Sequence, residues 1–196
     1  MSPRSSAAVA AQTRTRIVET VGYYASLQGF SQVSTREIAR ELEMSKSGVI
    51  GPFGSRDELL HDALEAALAA FTQAVISPAQ SVPAGHPRLI AVADAWVDYL
   101  INCPFPGGCV VTAASIDLDG RPGPLKDQLA QAIHQWRAFL AEQFRAMGHR
   151  RQEALDRATM MIGVAMAANQ DVQLLDDPAT AARTKRTLRA VIDHRG

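Results

Sequence analysis

The chain has 196 residues, of which 47% are hydrophobic and 20% charged, a composition typical of a folded globular protein and too apolar for intrinsic disorder. Twenty basic residues balance twenty acidic ones, so any binding of nucleic acid must be local rather than driven by net charge. No apolar run is long enough for a membrane span or for the hydrophobic region of a signal peptide. We therefore expect a cytoplasmic protein without a membrane partner.

The two cysteines, Cys103 and Cys109, lack the paired spacing of zinc sites and are too few for a disulfide framework. We expect both to be reduced thiols. Redox sensing by Cys109 is a weaker hypothesis, because no basic residue stands beside it in the sequence to favour a thiolate.

The N-terminal segment divides at Thr13. Residues 1–12 carry no cap and no sustained amphipathic pattern, and we interpret them as a flexible leader. From Thr13 to Gly29 apolar residues recur with helical spacing, which predicts the first helix. Its apolar face consists of Ile17, Val21, Tyr24 and Ala25.

Two short helices follow in close succession. Ser34 and Glu37 have the spacing of a capping box, which predicts a helix that begins at Ser34. Ser45 can cap a third helix, and only two residues separate it from Leu42, at the end of the second. Two short helices joined so closely predict a helix-turn-helix over about residues 34–53.

Caps and apolar periodicity predict six further helices, and no segment has the sustained alternation of a strand. Loops rich in proline and glycine separate several of them, notably residues 77–87 and 117–124. The fold class is therefore all-α. The predicted helices cover about residues 55–76, 89–102, 109–116, 125–147, 152–174 and 178–193.

The stretch from Thr13 to Leu60 resembles the DNA-binding domain of TetR-family transcriptional regulators in one ungapped register. A second stretch, from Gly107 to Asp127, is similar to the effector domain of one TetR subgroup through Gly-Gly-Cys, Ser115 and Arg-Pro-Gly-Pro. The residues that carry the first resemblance are Arg16-Ile17, Gly29-Phe30, 34–39, Ser45-Lys46-Ser47-Gly48, Phe53-Gly54-Ser55 and 57–60.

The resemblance implies a helix-turn-helix domain over residues 13–58 and a larger domain for effector binding and dimerisation over residues 59–196. It further implies a homodimer that binds double-stranded operator DNA and is released by a small-molecule effector of unknown identity. Neither catalysis nor a cofactor is expected.

The start of the third helix is the predicted point of entry into the major groove. Lys46 and Ser47 follow the cap, while free backbone N–H groups and the hydroxyls of Ser34, Thr35 and Ser45 suit phosphate oxygens. Arg36 is a second candidate for phosphate, although a solvated surface charge is nearly as good an interpretation. The predicted DNA contacts are Ser34, Thr35, Arg36, Ser45, Lys46, Ser47, Gly48 and Ile50.

Three residues depart from the family pattern: Glu43 stands where glycine is usual, Ile50 where an aromatic is usual, and Pro52 where histidine is frequent. Without the aromatic and the histidine, phosphate anchorage is expected to be weaker. Ile50 either faces the core of the domain or contacts a thymine methyl group. Gly48, Gly51 and Pro52 also disfavour a helix, so packing, with Phe53 as the anchor, must shape this segment.

The C-terminal two thirds of the chain contain the residues predicted to bind the effector and the second subunit. Ligand sites are mostly apolar with few polar groups, and small residues four apart, as at Gly163 and Ala167, allow close approach of helices. The predicted ligand-binding residues are Trp96, Tyr99, Phe105, Cys109, Trp136 and Met160. The predicted dimer interface contains Gly163, Ala167, Leu188 and Ile192.

Two weaker patterns do not predict a metal site. Glu58 and His61 have the Glu-x-x-His spacing of di-iron bundles, but no second copy accompanies them. The stretch around Asp117 and Asp119 lacks the later ligands of a calcium loop. Two rival functions remain: a helical enzyme or cofactor bundle, and a small-molecule carrier or interaction module whose helix-turn-helix is degenerate.

Overall fold

The structure, a computed structural model, describes residues 3–194, and within these it has nine α-helices and no strand. The prediction of an all-α fold is confirmed. The helices are α1 Pro3–Gln28, α2 Thr35–Glu41, α3 Lys46–Ile50, α4 Arg56–Phe71, α5 His86–Ile101, α6 Val110–Asp117, α7 Pro124–Ala146, α8 Arg151–Leu174 and α9 Thr180–Asp193.

Helix α1 begins at Pro3, so residues 3–12 are its first turns and not a separate leader. Met1 and Ser2 lie outside the described residues. The difference has a local cause, because alanine has the highest helix propensity and the segment Ala7–Ala11 is rich in it, while proline is well suited to a first turn.

Two other helices differ from their predicted bounds. Helix α4 changes to a π-helical turn over Thr72–Ile76, where its predicted end lies, and a 3-10 turn, Ser77–Ala79, extends beyond that end. Helix α9 begins at Thr180 rather than at Pro178, because the Asp177 carboxylate accepts a hydrogen bond from the backbone N–H of Ala179 at 2.8 Å and forms a turn before the helix.

The chain divides into two compact units. The first unit contains residues 1–68 and 105–129, and the second contains residues 69–104 and 130–196. Residues 105–129 group with the N-terminal part because α6 packs against α1 and against the 3-10 turn Phe30–Gln32.

The second unit is organised around α5, α8 and α9, which pack against one another. Helices α5 and α9 run antiparallel, and two ion pairs and one histidine–carboxylate hydrogen bond follow their contact in register. The core side of α9 carries Thr180, Thr184, Leu188 and Ile192, all buried. The ion pairs are Asp94–Arg189 at 3.2 Å and Asp98–Lys185 at 2.8 Å, and the hydrogen bond joins His86 and Asp193 at 2.7 Å.

Arg157 joins α8 to α9 from inside the second unit. Its buried guanidinium donates to the Val191 carbonyl at 2.9 Å and to the Glu153 carboxylate at 2.9 Å. These hydrogen bonds satisfy a charge that is costly to bury without partners, and the one from Arg157 lowers the pKa of the Glu153 carboxyl.

One stretch, Arg56–Ala79, has the length and mean hydropathy of a membrane-spanning helix. Its apolar residues form a stripe that is buried within the folded chain, as in the core helix of a globular protein. The buried stripe consists of Leu59, Leu60, Ala63, Leu64, Ala67, Phe71, Val75 and Ala79.

Candidate DNA-binding surface and aromatic core

Serine caps define the starts of α2 and α3, where the sequence predicts them. The Ser34 hydroxyl accepts a hydrogen bond from the Arg36 N–H at 3.2 Å, and the Ser45 hydroxyl accepts one from the Gly48 N–H at 3.0 Å. Each cap satisfies an N–H group that has no partner within its helix. Both hydroxyl oxygens thus serve the helix ends.

The turn between α2 and α3 is closed by backbone contacts. The Met44 N–H donates to the Ala39 carbonyl at 2.8 Å, and the small Ala39 side chain is buried where the helices meet. Glu43 in this turn has φ of 54°, in the left-handed region that favours glycine. The usual glycine of the family at this position is thereby explained, and Glu43 keeps the same turn at a cost in strain.

The residues at the start of α3 leave room for the hydrogen bond from the Gly48 N–H to the Ser45 hydroxyl. A Cβ atom on Gly48 would lie 3.2 Å from the Ser45 hydroxyl and 3.3 Å from the Met44 Cε, so glycine leaves room for this hydrogen bond. The exposed Ser47 hydroxyl lies 3.0 Å from that of Ser45. Val49 is fully buried, while Ile50 is half-buried.

Four basic side chains of α1, α2 and α3 are exposed and make no ion pair or side-chain hydrogen bond with other residues of 3–194. Charges without internal partners are available to phosphate oxygens. They are Arg16, Arg36, Arg40 and Lys46. By contrast, Arg14 donates to the Pro52 carbonyl and Arg56 donates to the Val33 carbonyl.

The segment that contains Phe105 and Cys109 lies directly against α1 in the first unit. The Gly107 N–H donates to the Ser26 hydroxyl at 3.1 Å, and a Cβ atom on Gly107 would lie only 1.9 Å from the Ser26 carbonyl oxygen. No other residue fits there without displacement of the backbone, which explains the first glycine of the Gly-Gly-Cys pattern. Phe105 covers Gly22, and Cys109 is buried.

The C-terminal end of α6 is hydrogen-bonded to the 3-10 turn that follows α1. Asp117 accepts hydrogen bonds from the N–H of Ser31 at 2.8 Å and from its hydroxyl. Gly29 has φ of 82°, and a Cβ atom there would lie 2.7 Å from the Asp117 Cγ. Glycine is therefore required at this position both by conformation and by space.

Five aromatic rings form the centre of the second unit. Trp96 and Trp136 meet edge to face at 5.0 Å between ring centroids, and Phe71 contacts both tryptophans and Tyr99 at 5.2 to 5.9 Å. Phe139 stacks on Trp136 at 5.6 Å. Three of the six predicted ligand residues, Trp96, Tyr99 and Trp136, are therefore brought together.

The indole N–H of Trp136 is buried in this cluster and has no hydrogen-bond partner among the described residues. A buried donor without an acceptor costs about 1–3 kcal/mol, and such a group commonly marks a site that a ligand or a water completes. It is the polar group of the aromatic core that lacks a partner among the described residues.

Met160 does not join this core: it lies on the outer side of α8, is 56% exposed, and lines a groove of about 420 Å³ between α8 and α9. Gly163 and Ala167 are exposed on the same helix. Leu188 and Ile192, expected at the dimer interface, are instead fully buried against their own chain, because the apolar side of α9 packs onto α5 and α8.

The residues of Glu-x-x-His have separate partners. His61 makes a 2.7 Å hydrogen bond to the Gln128 side chain, while the N–H of Glu58 donates to the Ser55 cap. Within residues 3–194 no group of three or more His, Cys, Asp or Glu side chains is arranged to hold a metal ion.

The sequence matches two family models. Residues 25–63 match the bacterial regulatory proteins of the tetR family, and residues 85–188 match the tetracyclin repressor-like C-terminal domain. The second match alone spans more than half of the chain. The chain belongs to the TetR family. It is a transcriptional regulator with a DNA-binding helix-turn-helix and a helical C-terminal ligand-binding domain.

Solved structures of bacterial transcriptional regulators have the same fold. A regulator from Streptomyces coelicolor has 18% identity and a TM-score of 0.80, with 93% of this chain and 95% of that chain covered. A regulator from Legionella pneumophila has 13% identity and a TM-score of 0.78, with 91% and 96% covered. One from Saccharomonospora viridis, in complex with choline, has 19% identity and a TM-score of 0.72, with 94% and 97% covered. No curated protein sequence matches significantly.

Sequence reasoning missed Phe71 and Phe139 in the aromatic core. Both had a detectable signal, since Phe71 continues the apolar spacing of Leu64 and Ala67 and Phe139 follows Trp136 by one helical turn. The contacts of Arg14 had no such signal, because they join residues far apart in the sequence.

Proposed function

We propose that this regulator is a cytoplasmic, homodimeric repressor that leaves its operator when a small-molecule effector binds. In this proposal residues 13–58 bind DNA, and residues 59–196 bind the effector and the second subunit. The observation that carries it is the set of four unpaired cations on the helix-turn-helix unit, since the net charge of the chain is zero.

Base contacts are assigned to the start of α3, where Ser47 is exposed beyond the Ser45 cap. Phosphate contacts are assigned to Arg36, Lys46, the hydroxyl protons of the caps, and the half-buried Thr35 at the start of α2. The half-buried Ile50 has one side left for a thymine methyl group.

Selection of duplexes from a random DNA library tests this function. The full chain is expected to enrich a palindrome whose half-sites lie one or more helical turns apart, with affinity that falls as salt rises. If no sequence is enriched and no salt-dependent gel shift occurs, a carrier with a degenerate helix-turn-helix is the better description.

For the effector we propose an apolar or aromatic compound with one hydrogen-bond acceptor, placed among Phe71, Trp96, Tyr99 and Trp136. The acceptor would pair with the Trp136 indole N–H, which has no partner among the described residues. Choline belongs in the screen, because a structural relative binds it and aromatic faces attract quaternary ammonium groups.

Tryptophan fluorescence provides the test, because Trp96 and Trp136 are the two tryptophans of the chain. An effector should change their emission and weaken operator binding by the same factor by which DNA weakens effector binding. A compound that changes the emission but leaves DNA affinity unchanged would assign the aromatic core to structure alone.

The second subunit is placed on the exposed side of α8. Met160 and Met166 are 56% and 43% exposed, and a Cβ atom on Gly163 would meet nothing within 4 Å. Exposed apolar side chains beside small residues suit a packed helix pair, and closed two-fold dimers are the commonest oligomers. Leu188 and Ile192 support this surface from the core.

Gly163→Leu should raise the dissociation constant of the dimer by about five- to 150-fold, since overpacking costs roughly 1–3 kcal/mol, while helicity is unchanged. Analytical ultracentrifugation and circular dichroism measure the two properties. Ala66→Leu, at an exposed position of α4, is the matched control and should leave the dimer intact. A wild-type chain that is monomeric at micromolar concentration would contradict the assignment.

A further inference from the structure

Arg14 of α1 contacts three residues in two other parts of the first unit through one guanidinium group. Its Nη1 donates to the Pro52 carbonyl at 2.6 Å, and its Nη2 pairs with the Asp62 carboxylate of α4. Its Cζ lies 4.3 Å from the centroid of the Phe53 ring. Pro52 and Phe53 form the turn that follows α3, so Arg14 joins α1, the end of α3 and α4.

Helix α3 needs such a support, because it has only five residues. Helices this short are unstable by themselves. The segment also contains Gly48, Gly51 and Pro52, which are poor helix formers. The hydrogen bond from Arg14 satisfies the Pro52 carbonyl, and the guanidinium covers one face of Phe53, the buried anchor of the turn.

The three contacts suit arginine specifically. A planar guanidinium donates in two directions while its face lies on an aromatic ring, whereas the ammonium of lysine is a point charge that cannot do both. Arg16, on the same helix, is exposed and makes no side-chain hydrogen bond or ion pair within residues 3–194. Two arginines of α1 therefore have different environments.

We propose that Arg14 is a positioning residue for operator recognition. It holds the C-terminal end of α3 against α1 and α4, and so orients Lys46 and Ser47 at the other end of the helix. It acts through the Pro52 carbonyl and the Phe53 ring, not through a DNA phosphate. The inference rests on the proposed DNA-binding function.

The test compares Arg14→Lys, which keeps the charge but not the fork, with Arg16→Met, which removes a charge from the same helix. Asp62→Asn is the third variant, since it weakens the ion pair with Arg14 without changing a residue of α3. Two measurements are made on the full chain: amide hydrogen exchange over residues 49–54 without DNA, and binding to a wild-type-selected duplex and a random duplex as salt is varied.

Arg14→Lys is expected to lose about tenfold in affinity for the selected duplex, the value of one charge-assisted hydrogen bond, and less for the random duplex, with an unchanged salt slope. Exchange over residues 49–54 should accelerate by a similar factor, while exchange in α8 stays the same. Asp62→Asn should shift both measurements in the same direction. Arg16→Met should weaken both duplexes equally and leave exchange unchanged.

The proposal is overturned if Arg14→Lys binds like the wild type, or if exchange over residues 49–54 is unaffected. A further variant, Arg14→Met, tests the alternative that Arg14 contacts phosphate. In that case Arg14→Met would lose the same factor of affinity for both duplexes, and its salt slope would be lower by about one. If the wild type selects no duplex, the DNA-binding proposal fails, while the exchange comparison still decides whether Arg14 holds α3.

Discussion

The two compact units of this protein are stabilised in different ways. In the first unit, backbone lies directly against backbone, as where Gly107 meets Ser26, and α3 is held through single polar contacts. In the second unit, long helices share an aromatic core and a seam of ion pairs between α5 and α9. A surface made of very short helices thus depends on a few irreplaceable residues, whereas a helical bundle distributes its stability over many side chains.

The largest effect is expected at Gly107. Gly107→Ala places a Cβ atom 1.9 Å from the Ser26 carbonyl, and because backbone must shift, the free energy of unfolding should fall by about 3 kcal/mol. Chemical denaturation measures the change. Gly120→Ala is the control, since a Cβ atom there meets nothing within 4 Å, and it should change stability by less than about 0.5 kcal/mol. Equal effects of the two variants would mean that the close backbone contact at Gly107 does not stabilise the first unit.

Loss of an exposed cation from the first unit should weaken DNA binding, whereas loss of a paired cation from the second unit should not. Lys46→Ala is expected to weaken binding to every duplex about five- to tenfold and to lower the salt slope by about one, because its charge has no partner in the folded chain. Lys185→Ala removes a cation that is already paired with Asp98 and should leave DNA affinity unchanged. Fluorescence anisotropy over a range of salt concentrations measures both. An unchanged slope for Lys46→Ala would exclude its role at phosphate.

Backbone strain at one position in each unit provides a further comparison. Glu43 and Asp176 are the non-glycine residues with positive φ, 54° and 48°, in the described chain. Substitution of either residue by glycine should remove this strain and raise the free energy of unfolding by about 1 kcal/mol. The net gain is smaller, because glycine also increases the conformational entropy of the unfolded state. Thermal unfolding of Glu43→Gly and Asp176→Gly measures the gains. A loss of stability in Glu43→Gly would show that its side chain has a structural role in the turn.

The smallest effect is expected in the seam of the second unit. Arg189 and Asp94 are 52% and 36% exposed, and surface ion pairs contribute about 0.5 kcal/mol or less. Arg189→Ala should therefore change the free energy of unfolding by no more than this amount. A double-mutant cycle with Asp94→Ala isolates the pair, and a coupling energy above about 2 kcal/mol would mean that the second unit also depends on single contacts.

Much of the first unit was predictable because its signals are local. The caps at Ser34 and Ser45, and Phe53 as a buried anchor, follow from residue type and short spacing. In the second unit, Trp96, Tyr99 and Trp136 were predicted to share a site, while Phe105, Cys109 and Met160 were placed elsewhere by the fold. Apolar periodicity identifies an inward face, but it does not specify which other face it will meet.

The amino-acid sequence by itself determined the all-α class, the family, and the position of the helix-turn-helix, because propensity, capping and spacing act over a few residues. Only the tertiary structure decided which charged side chains are paired within the chain and which remain exposed. Arg14 is paired with Asp62, whereas Arg16 is exposed and unpaired among the described residues. The tertiary structure also decided that Leu188 and Ile192 pack against α5 and α8 while Gly163 stays exposed. These contacts depend on residues that are distant in the sequence, so local sequence patterns do not predict them.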